Sequence, residues 1–158
     1  MSDMVTMNAK DAIAGTAGQC FVTIGSNRYN FAQVVKVEAK IKKNKKQVPI
    51  LGRTGKGNKA SSWEGTGSAT LHYNTSVFRE LLKRYADTGE DLYFDMQIIN
   101  NDPTSAAGTQ IVTLFSCNLD GGTIAKLDAD SDYLDEDVDF TFESWDMPQS
   151  FNVLDSMR

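Results

Sequence analysis

Hydrophobic and polar residues alternate along several stretches of the chain, and this period of two predicts β-strands with one buried face. The alternation is clearest in residues 32–41, where apolar side chains at 35, 37, 39 and 41 are separated by charged ones. It recurs in residues 137–145, where Val138, Phe140 and Phe142 form the apolar face. Further strands are predicted at 20–24, 63–73, 91–99 and 109–119, with a short one at 123–129.

Residues 33–52 are predicted to form a β-hairpin whose tip is the charged run Lys-Lys-Asn-Lys-Lys at 42–46. Pro49 lacks a backbone N–H, so the second arm of this hairpin is expected at a sheet edge or bulge. Residues 52–62 are rich in glycine and lysine and are predicted to form a basic loop.

One amphipathic helix is predicted at residues 76–87, because Phe78, Leu81, Leu82 and Tyr85 fall on one helical stripe. Gly89 is suited to the position that ends it. Strands precede and follow this helix without βαβ repetition, which indicates a mainly β fold: an antiparallel β-sandwich or split β-barrel with one flanking α-helix. We expect a flexible N-terminal arm at 1–18 and a single domain at 19–158.

The overall composition is that of a globular protein, with 41% hydrophobic and 23% charged residues. No apolar run approaches the roughly 18 residues of a membrane span, and the N-terminus has no secretory signal, so we expect cytoplasmic synthesis. Cys20 and Cys117 lie in apolar runs and are expected to be free, buried thiols.

The charges are divided into two blocks of opposite sign. Residues 36–59 contain nine bases and a single acid, Glu38, whereas residues 120–146 contain ten acids and a single base, Lys126. The net charge of −5 conceals this division.

Several motifs resemble catalytic or binding signatures but are incomplete. In the basic loop, Gly57 replaces the Ser or Thr that a phosphate-binding loop requires, and Ile50 replaces its first glycine. Asp128, Asp130 and Asp132 match the first ligands of a calcium loop, but the glycine and glutamate that should follow are missing. The sequence therefore predicts no enzyme, no cofactor and no metal site.

Five stretches resemble, in order, the tail-tube proteins of PBSX-like prophages, contractile phages and R-type (diffocin-like) bacteriocins. They are ILGRTGKGNK (50–59), WEGTGSATLHYN (63–74), TGEDLYFDMQI (88–98), NDPTSAAGTQIVTL (101–114) and AKLDADSDYLDEDVDFTFESWDMPQSF (125–151). The family's usual histidine in the basic loop is replaced by Asn58.

The resemblance implies a structural subunit that forms hexameric rings, which stack into the hollow inner tube of a virion tail or phage-tail-like particle. It implies four kinds of partner: further copies of the chain, a tail sheath protein, baseplate and tail-terminator proteins, and DNA in the lumen if the particle is a phage. Assembly is expected in the bacterial host cytoplasm. Two alternatives stay open: a type VI secretion-like tube protein and a small ligand-binding β-barrel.

A stacking interface with opposite charges on its two faces favours one polarity of assembly. We therefore predict a ring-stacking basic loop and a complementary acidic surface on the adjacent ring. The first comprises Lys42, Lys43, Lys45, Lys46, Arg53, Lys56 and Lys59; the second comprises Asp128, Asp130, Asp132, Asp135, Glu136 and Asp137. Asp139 and Glu143 point away from the predicted core and are candidates for facing the lumen. The glycines of residues 63–73 are expected to allow close backbone approach between subunits.

Overall fold

A computed structural model describes residues 4–158, and this part of the chain contains eight β-strands and one α-helix. In order they are β1 (Gly18–Ile24), β2 (Asn27–Asn30), β3 (Val34–Val48), β4 (Gly57–His72), α1 (Val77–Thr88), β5 (Phe94–Asn101), β6 (Thr109–Gly122), β7 (Asp135–Phe142) and β8 (Ser144–Gln149). Short 3-10 turns lie at Ala9–Asp11 and Asp155–Met157. The mainly β class with one helix is confirmed.

The contacts of the chain fall into two units. The first contains the chain up to Ala32 together with Phe94–Phe115 and Trp145–Arg158; the second contains Gln33–Tyr93 and Ser116–Ser144. Strand β6 therefore contributes its first part to one unit and its second part to the other. Its backbone is left-handed at Ser116, where φ is 54°.

In the first unit the strand order is β2-β1-β5-β6, and β8 also pairs with β6. Strand β1 lies antiparallel to both neighbours, with Cys20 opposite Ile98 on β5. The buried apolar residues of this unit are Cys20, Val22, Phe31, Phe94, Met96, Ala107 and Leu114.

Hydrogen bonds attach the segment before β1 to the loop between β5 and β6. The Ser105 hydroxyl donates to the backbone oxygen of Asp11 (2.9 Å), whose carboxylate accepts from the Ala106 amide (2.9 Å). The carboxylate of Asp102 accepts from the Ala14 amide (3.0 Å). The predicted N-terminal arm includes residues 1–3, which lie outside the described residues, and its flexibility stays a prediction.

In the second unit the strand order is β6-β7-β4-β3, with β4 antiparallel to both of its neighbours. Its buried apolar residues are Ala69, Leu71, Phe78, Cys117, Val138, Phe140 and Phe142. The apolar face predicted for strand 137–145 is confirmed, because Val138, Phe140 and Phe142 are all buried.

Helix α1 is confirmed with nearly its predicted bounds. It ends at Gly89, whose φ of 75° is left-handed and whose amide bonds to the Tyr85 oxygen. Phe78 is buried and Leu81 and Leu82 are half-buried, but Tyr85 is 55% exposed, so its predicted place in the core is wrong. Tyr85 lies at the last full turn of the helix, beyond the covered part of the stripe.

The hairpin predicted at residues 33–52 is wrong: β3 is the first arm of a longer hairpin, and its second arm is β4. Strand β3 continues through the lysine run to Val48 and pairs with β4 as far as Gly57. The tip is therefore residues 49–56, Pro49 lies in it, and residues 57–62 are strand and not loop. The physical reason is register: residues 42–48 have backbone partners in 57–64, and this pairing outweighs the turn tendency of a polar run.

Four other sequence expectations are corrected. Residues 123–129 form no strand, and the predicted strand 137–145 divides at Glu143 into β7 and β8. Val35 is exposed, because a register shift between Val34 and Lys36 makes it an extra residue on β3. Ile41 is also exposed, since its partner Gly65 lies at the last β4–β7 pair.

Candidate assembly surface

A two-stranded ribbon projects past the rest of the second unit's sheet. Strand β4 pairs with β7 only from Gly65 to His72, whereas its pairing with β3 continues to Gly57. Residues 42–63, which we call the basic arm, therefore have no third strand beside them within the described chain. The arm's strands extend about 20 Å, because the seven residues from Lys42 to Val48 span six steps of ~3.4 Å each.

All seven residues of the predicted ring-stacking loop lie on the basic arm and are exposed: Lys42, Lys43, Lys45, Lys46, Arg53, Lys56 and Lys59. Within residues 4–158 none of the seven forms an ion pair. Lys46 lies directly opposite Lys59 on the partner strand. Like charges in this position repel, so the ribbon carries an unfavourable electrostatic energy when nothing anionic covers it.

The base of the basic arm is joined to the core by aromatic rings. Trp63 lies with its ring centroid 6.3 Å from that of Phe142. The rings of Phe142 and Phe140 lie over Gly65 and Gly67, where an added Cβ would come within 2.4 Å and 2.3 Å of ring carbons. These glycines leave room for two core rings of the same chain, and the expectation that they also serve contact between subunits stays a prediction.

Residues 123–134, which we call the acidic segment, form an irregular connection held by its own hydrogen bonds. The carboxylate of Asp128 accepts from the Ser131 hydroxyl (2.8 Å) and the Asp130 amide (3.1 Å). These bonds hold the pKa of Asp128 below its usual value. Lys126 Nζ donates to the backbone oxygen of Asp135 (2.9 Å). Asp128, Asp130 and Asp132 are all exposed on this segment.

The remaining members of the predicted acidic surface differ in exposure. Asp137 is exposed and accepts a hydrogen bond from the Thr70 hydroxyl (2.7 Å). Asp135 is half-buried, with Oδ1 3.4 Å from Nδ1 of His72. Glu136 is only 3% exposed, so its predicted place on an exposed acidic surface is wrong.

Glu136 is instead part of a buried ion pair. Its carboxylate bonds to Arg79 of α1, which also donates to the Thr75 backbone oxygen. The Arg79 guanidinium carbon lies 4.4 Å from the centroid of the Tyr73 ring. Burial raises the pKa of Glu136 above its ordinary value, against the opposing effect of Arg79. The sequence of β7 indicates that Glu136 is buried, because Glu136 alternates in phase with the apolar Val138 and Phe140.

Asp139 and Glu143, the candidate lumen residues, are exposed, and Asp139 lies on the side of β7 opposite the core. Cross-strand neighbours place this side in three rows: Lys36–Thr70–Asp137, Glu38–Ser68–Asp139 and Lys40–Thr66–Thr141. We call it the polar face. Helix α1 packs on the other side, since Leu82 and Val138 both approach Gly122. On this face β3 carries two bases and one acid, and β7 carries two acids, so the polar face is mixed in charge.

Among residues 4–158 no group of three or more His, Cys, Asp or Glu side chains is arranged to hold a metal ion. Cys20 and Cys117 are both buried, and neither forms a disulfide within residues 4–158, as predicted. The helix described here is too short and too polar to cross a membrane.

The fold is that of chains found in contractile injection particles. A chain in the cryo-EM structure of the anti-feeding prophage baseplate matches with a TM-score of 0.65 at 12% identity, over 86% of this chain and 95% of that one. A chain of the sheath-tube complex of an extracellular contractile injection system, PVC, in its extended state matches with a TM-score of 0.65 at 11% identity, over 90% and 94%.

The family follows from the sequence comparison. A family model described as phage tail tube protein matches residues 5–149, and the chain belongs to this family. It is 38% identical over 148 residues to the phage-like element PBSX protein XkdM of Bacillus subtilis strain 168, covering 94% of this chain and 98% of that protein. The protein is thus a structural subunit of a tail tube, which favours this prediction over the two alternatives left open above.

Proposed function

We propose that the chain forms hexameric rings, which stack head to tail into the inner tube of a contractile phage tail or R-type bacteriocin. In this proposal the tube lies inside a contractile sheath, between a baseplate and a terminator, and is assembled in the bacterial host cytoplasm. It conducts DNA if the particle is a phage, and it has no enzymatic activity.

The observation that carries the stacking mechanism is the basic arm. It bears seven exposed bases without an ion pair, and Lys46 opposes Lys59. A two-stranded ribbon is marginally stable in water even without such repulsion. Contact with an anionic surface would therefore stabilise the arm.

The acidic segment supplies such a surface on another copy of the chain. Asp128, Asp130 and Asp132 are exposed there, and Asp137 lies nearby in sequence at the start of β7. An interface between two different patches of identical subunits is heterologous and propagates as a filament instead of closing into a dimer. Opposite charges on the two patches favour head-to-tail contact and disfavour contact of like faces.

The proposal is tested by reversing the charge of Lys42, Lys43, Lys45 and Lys46 together to glutamate. We expect tubes to be lost in negative-stain electron microscopy while the isolated subunit keeps its circular dichroism spectrum. A matched control reverses Lys10 and Lys83, which are exposed and lie outside the arm; it should assemble normally.

A second variant decides whether the partner of the arm is the acidic segment. Changing Asp128, Asp130 and Asp132 to lysine in the arm-reversed chain exchanges the charges of the acidic segment and of the lysine run at 42–46, while the three bases at 53, 56 and 59 stay unchanged. This exchanged variant should recover tubes, because the complementarity between neighbouring copies is restored. Normal tubes from the arm-reversed chain alone would contradict the proposal.

Asp139 and Glu143 are proposed to face the lumen. The supporting observations are that both are exposed, that Asp139 is on the polar face, and that α1 packs on the opposite side. A cryo-EM map of the tube that places either side chain against the sheath would contradict this assignment.

A further inference from the structure

Two leucines in the charged regions are almost fully exposed. Leu51, at the tip of the basic arm, has a relative exposure of 103%, and Leu127, in the acidic segment, has 96%. They are the two most exposed large hydrophobic residues of the described chain. Exposing a leucine to water is unfavourable, and both of these leucines have charged residues nearby, so a partner that covered them would lower the free energy of the chain.

The arm tip presents Leu51 outward by a defined turn. The Arg53 amide bonds to the Ile50 oxygen (3.2 Å), and Gly52 has a left-handed φ of 84°. Ile50 folds back over Gly57, where its Cδ1 would lie 3.0 Å from an added Cβ. Leu51 is thereby left as the apolar residue that the tip offers to a partner.

The acidic segment presents Leu127 in a similar manner. The bonds of Asp128 to Asp130 and Ser131 fix the turn that follows it, and Lys126 is tied to Asp135. Ile124 adds a second exposed apolar side chain three residues earlier. The segment therefore displays an apolar pair beside Asp128, Asp130 and Asp132.

Taking the stacking of the proposed function as given, we infer that Leu51 of one copy packs against Leu127 and Ile124 of a second copy, at the centre of the charged interface. The occupant is another copy of this chain because the surroundings are complementary: Arg53 and Lys56 follow Leu51, and three aspartates follow Leu127. Lys126, which precedes Leu127, is bonded to the Asp135 backbone oxygen. In such an arrangement a desolvated apolar centre holds the complex and the charged rim steers its formation.

The inference is tested by the double variant Leu51→Cys, Leu127→Cys, oxidised in assembled tubes and run on a non-reducing gel. Cys20 and Cys117 are buried and do not compete. Because each copy offers one thiol to the copy on either side, a ladder of dimers, trimers and higher multiples is expected. The mismatched control Leu51→Cys, Tyr85→Cys carries the same number of added thiols, with Tyr85 exposed on α1, and should give no ladder.

The outcomes separate this inference from the proposed function. Tubes that form without a ladder, a ladder of equal strength from the mismatched control, or a disulfide within one chain would each overturn the Leu51–Leu127 contact and leave the tube intact. Failure of the unmodified chain to form tubes with its native baseplate would instead overturn the proposed function.

A second measurement covers the case in which the cysteine variant does not assemble. Leu51→Ala and Leu127→Ala should each raise the rate of subunit loss from diluted tubes by about tenfold or more, as expected for removing a buried leucine contact. The double alanine variant should lose subunits about as fast as either single variant, because both changes remove the same contact. If the two substitutions instead multiplied each other's effect on the rate of subunit loss, the Leu51–Leu127 contact would be contradicted.

Discussion

Replacing Gly67 by alanine tests whether the sheet of the second unit is built around its two aromatic rings. The added Cβ would lie 2.3, 2.5 and 2.9 Å from three ring carbons of Phe140, a residue that is 1% exposed. Atoms of a packed core do not approach so closely, so the ring or the strand must move. Gly67 does not have a left-handed φ, and the steric conflict therefore decides the outcome.

The magnitude follows from two opposing effects. Forcing an extra carbon into a packed core costs about 1–3 kcal/mol. Alanine recovers about 0.4–1 kcal/mol, because it restricts the unfolded chain more than glycine does. We expect a net loss of about 1–2 kcal/mol in the free energy of unfolding, which for a chain of this size lowers the melting temperature by roughly 2–8 °C.

The measurement is urea unfolding of the isolated subunit, followed by circular dichroism. Gly121→Ala is the matched control: Gly121 also lies in a strand of this sheet, and no atom lies within 4 Å of its added Cβ. If Gly67→Ala were as stable as Gly121→Ala, the Phe140 ring would not pack against Gly67, and the prediction would be wrong. Trimming the ring with Phe140→Leu should also reduce the cost of Gly67→Ala, since the clash is then smaller.

Two further predictions concern buried ionisable groups. Arg79→Met should lower the free energy of unfolding by about 3 kcal/mol at neutral pH, because it leaves Glu136 buried without its cation, and adding Glu136→Met should recover most of the loss. Since burial holds the folded-state pKa of Glu136 above its ordinary 4.5, the defect of Arg79→Met should shrink as pH falls toward that value; urea unfolding at several pH values measures this, and a pH-independent defect would contradict it. Burial also raises the pKa of the Cys20 thiol to about 11, so Cys20 should resist a thiol reagent at pH 8 in the folded subunit and react fully in denaturant, as a colorimetric thiol assay would show.

Much of the fold was predictable because local patterns and tertiary packing agree. The stripe on α1 and the glycine that ends it identify the helix, and the alternation of Val138, Phe140 and Phe142 identifies the buried face of β7. In both elements the periodicity of the sequence matches the face that is covered. The predicted burial of Tyr85 is wrong because periodicity identifies which face of the helix is apolar. It does not show how far along the helix the covering sheet extends.

The extent of the basic arm was not predictable from local pattern. Residues 42–46 are four lysines and an asparagine, which favour a turn, yet they are extended because residues 59–64 pair with them. Likewise, nothing local indicates that Gly65 and Gly67 lie beneath two core rings. These features depend on partners that lie far away in sequence.

The candidate site was predictable in its charges and less so in its apolar residues. The opposite charge blocks are evident from the sequence, and the structure leaves all seven bases of the arm exposed. Glu136 was assigned by its charge when its position in the β7 alternation indicated burial. Leu51 and Leu127 gave no signal, because exposure of a leucine becomes visible only in the fold.

The rows of the polar face have an electrical consequence that holds wherever that face lies in the particle. Lys40 lies 3.3 Å from Glu38 of the neighbouring row, and within one row Lys36 and Asp137 stand two strands apart, at about 10 Å. This separation is close to the ~8 Å screening length at physiological ionic strength. Beyond a few water layers the electrostatic potentials of the two signs cancel. A passing polyanion would therefore meet a nearly neutral wall and would interact with individual charges only on direct contact.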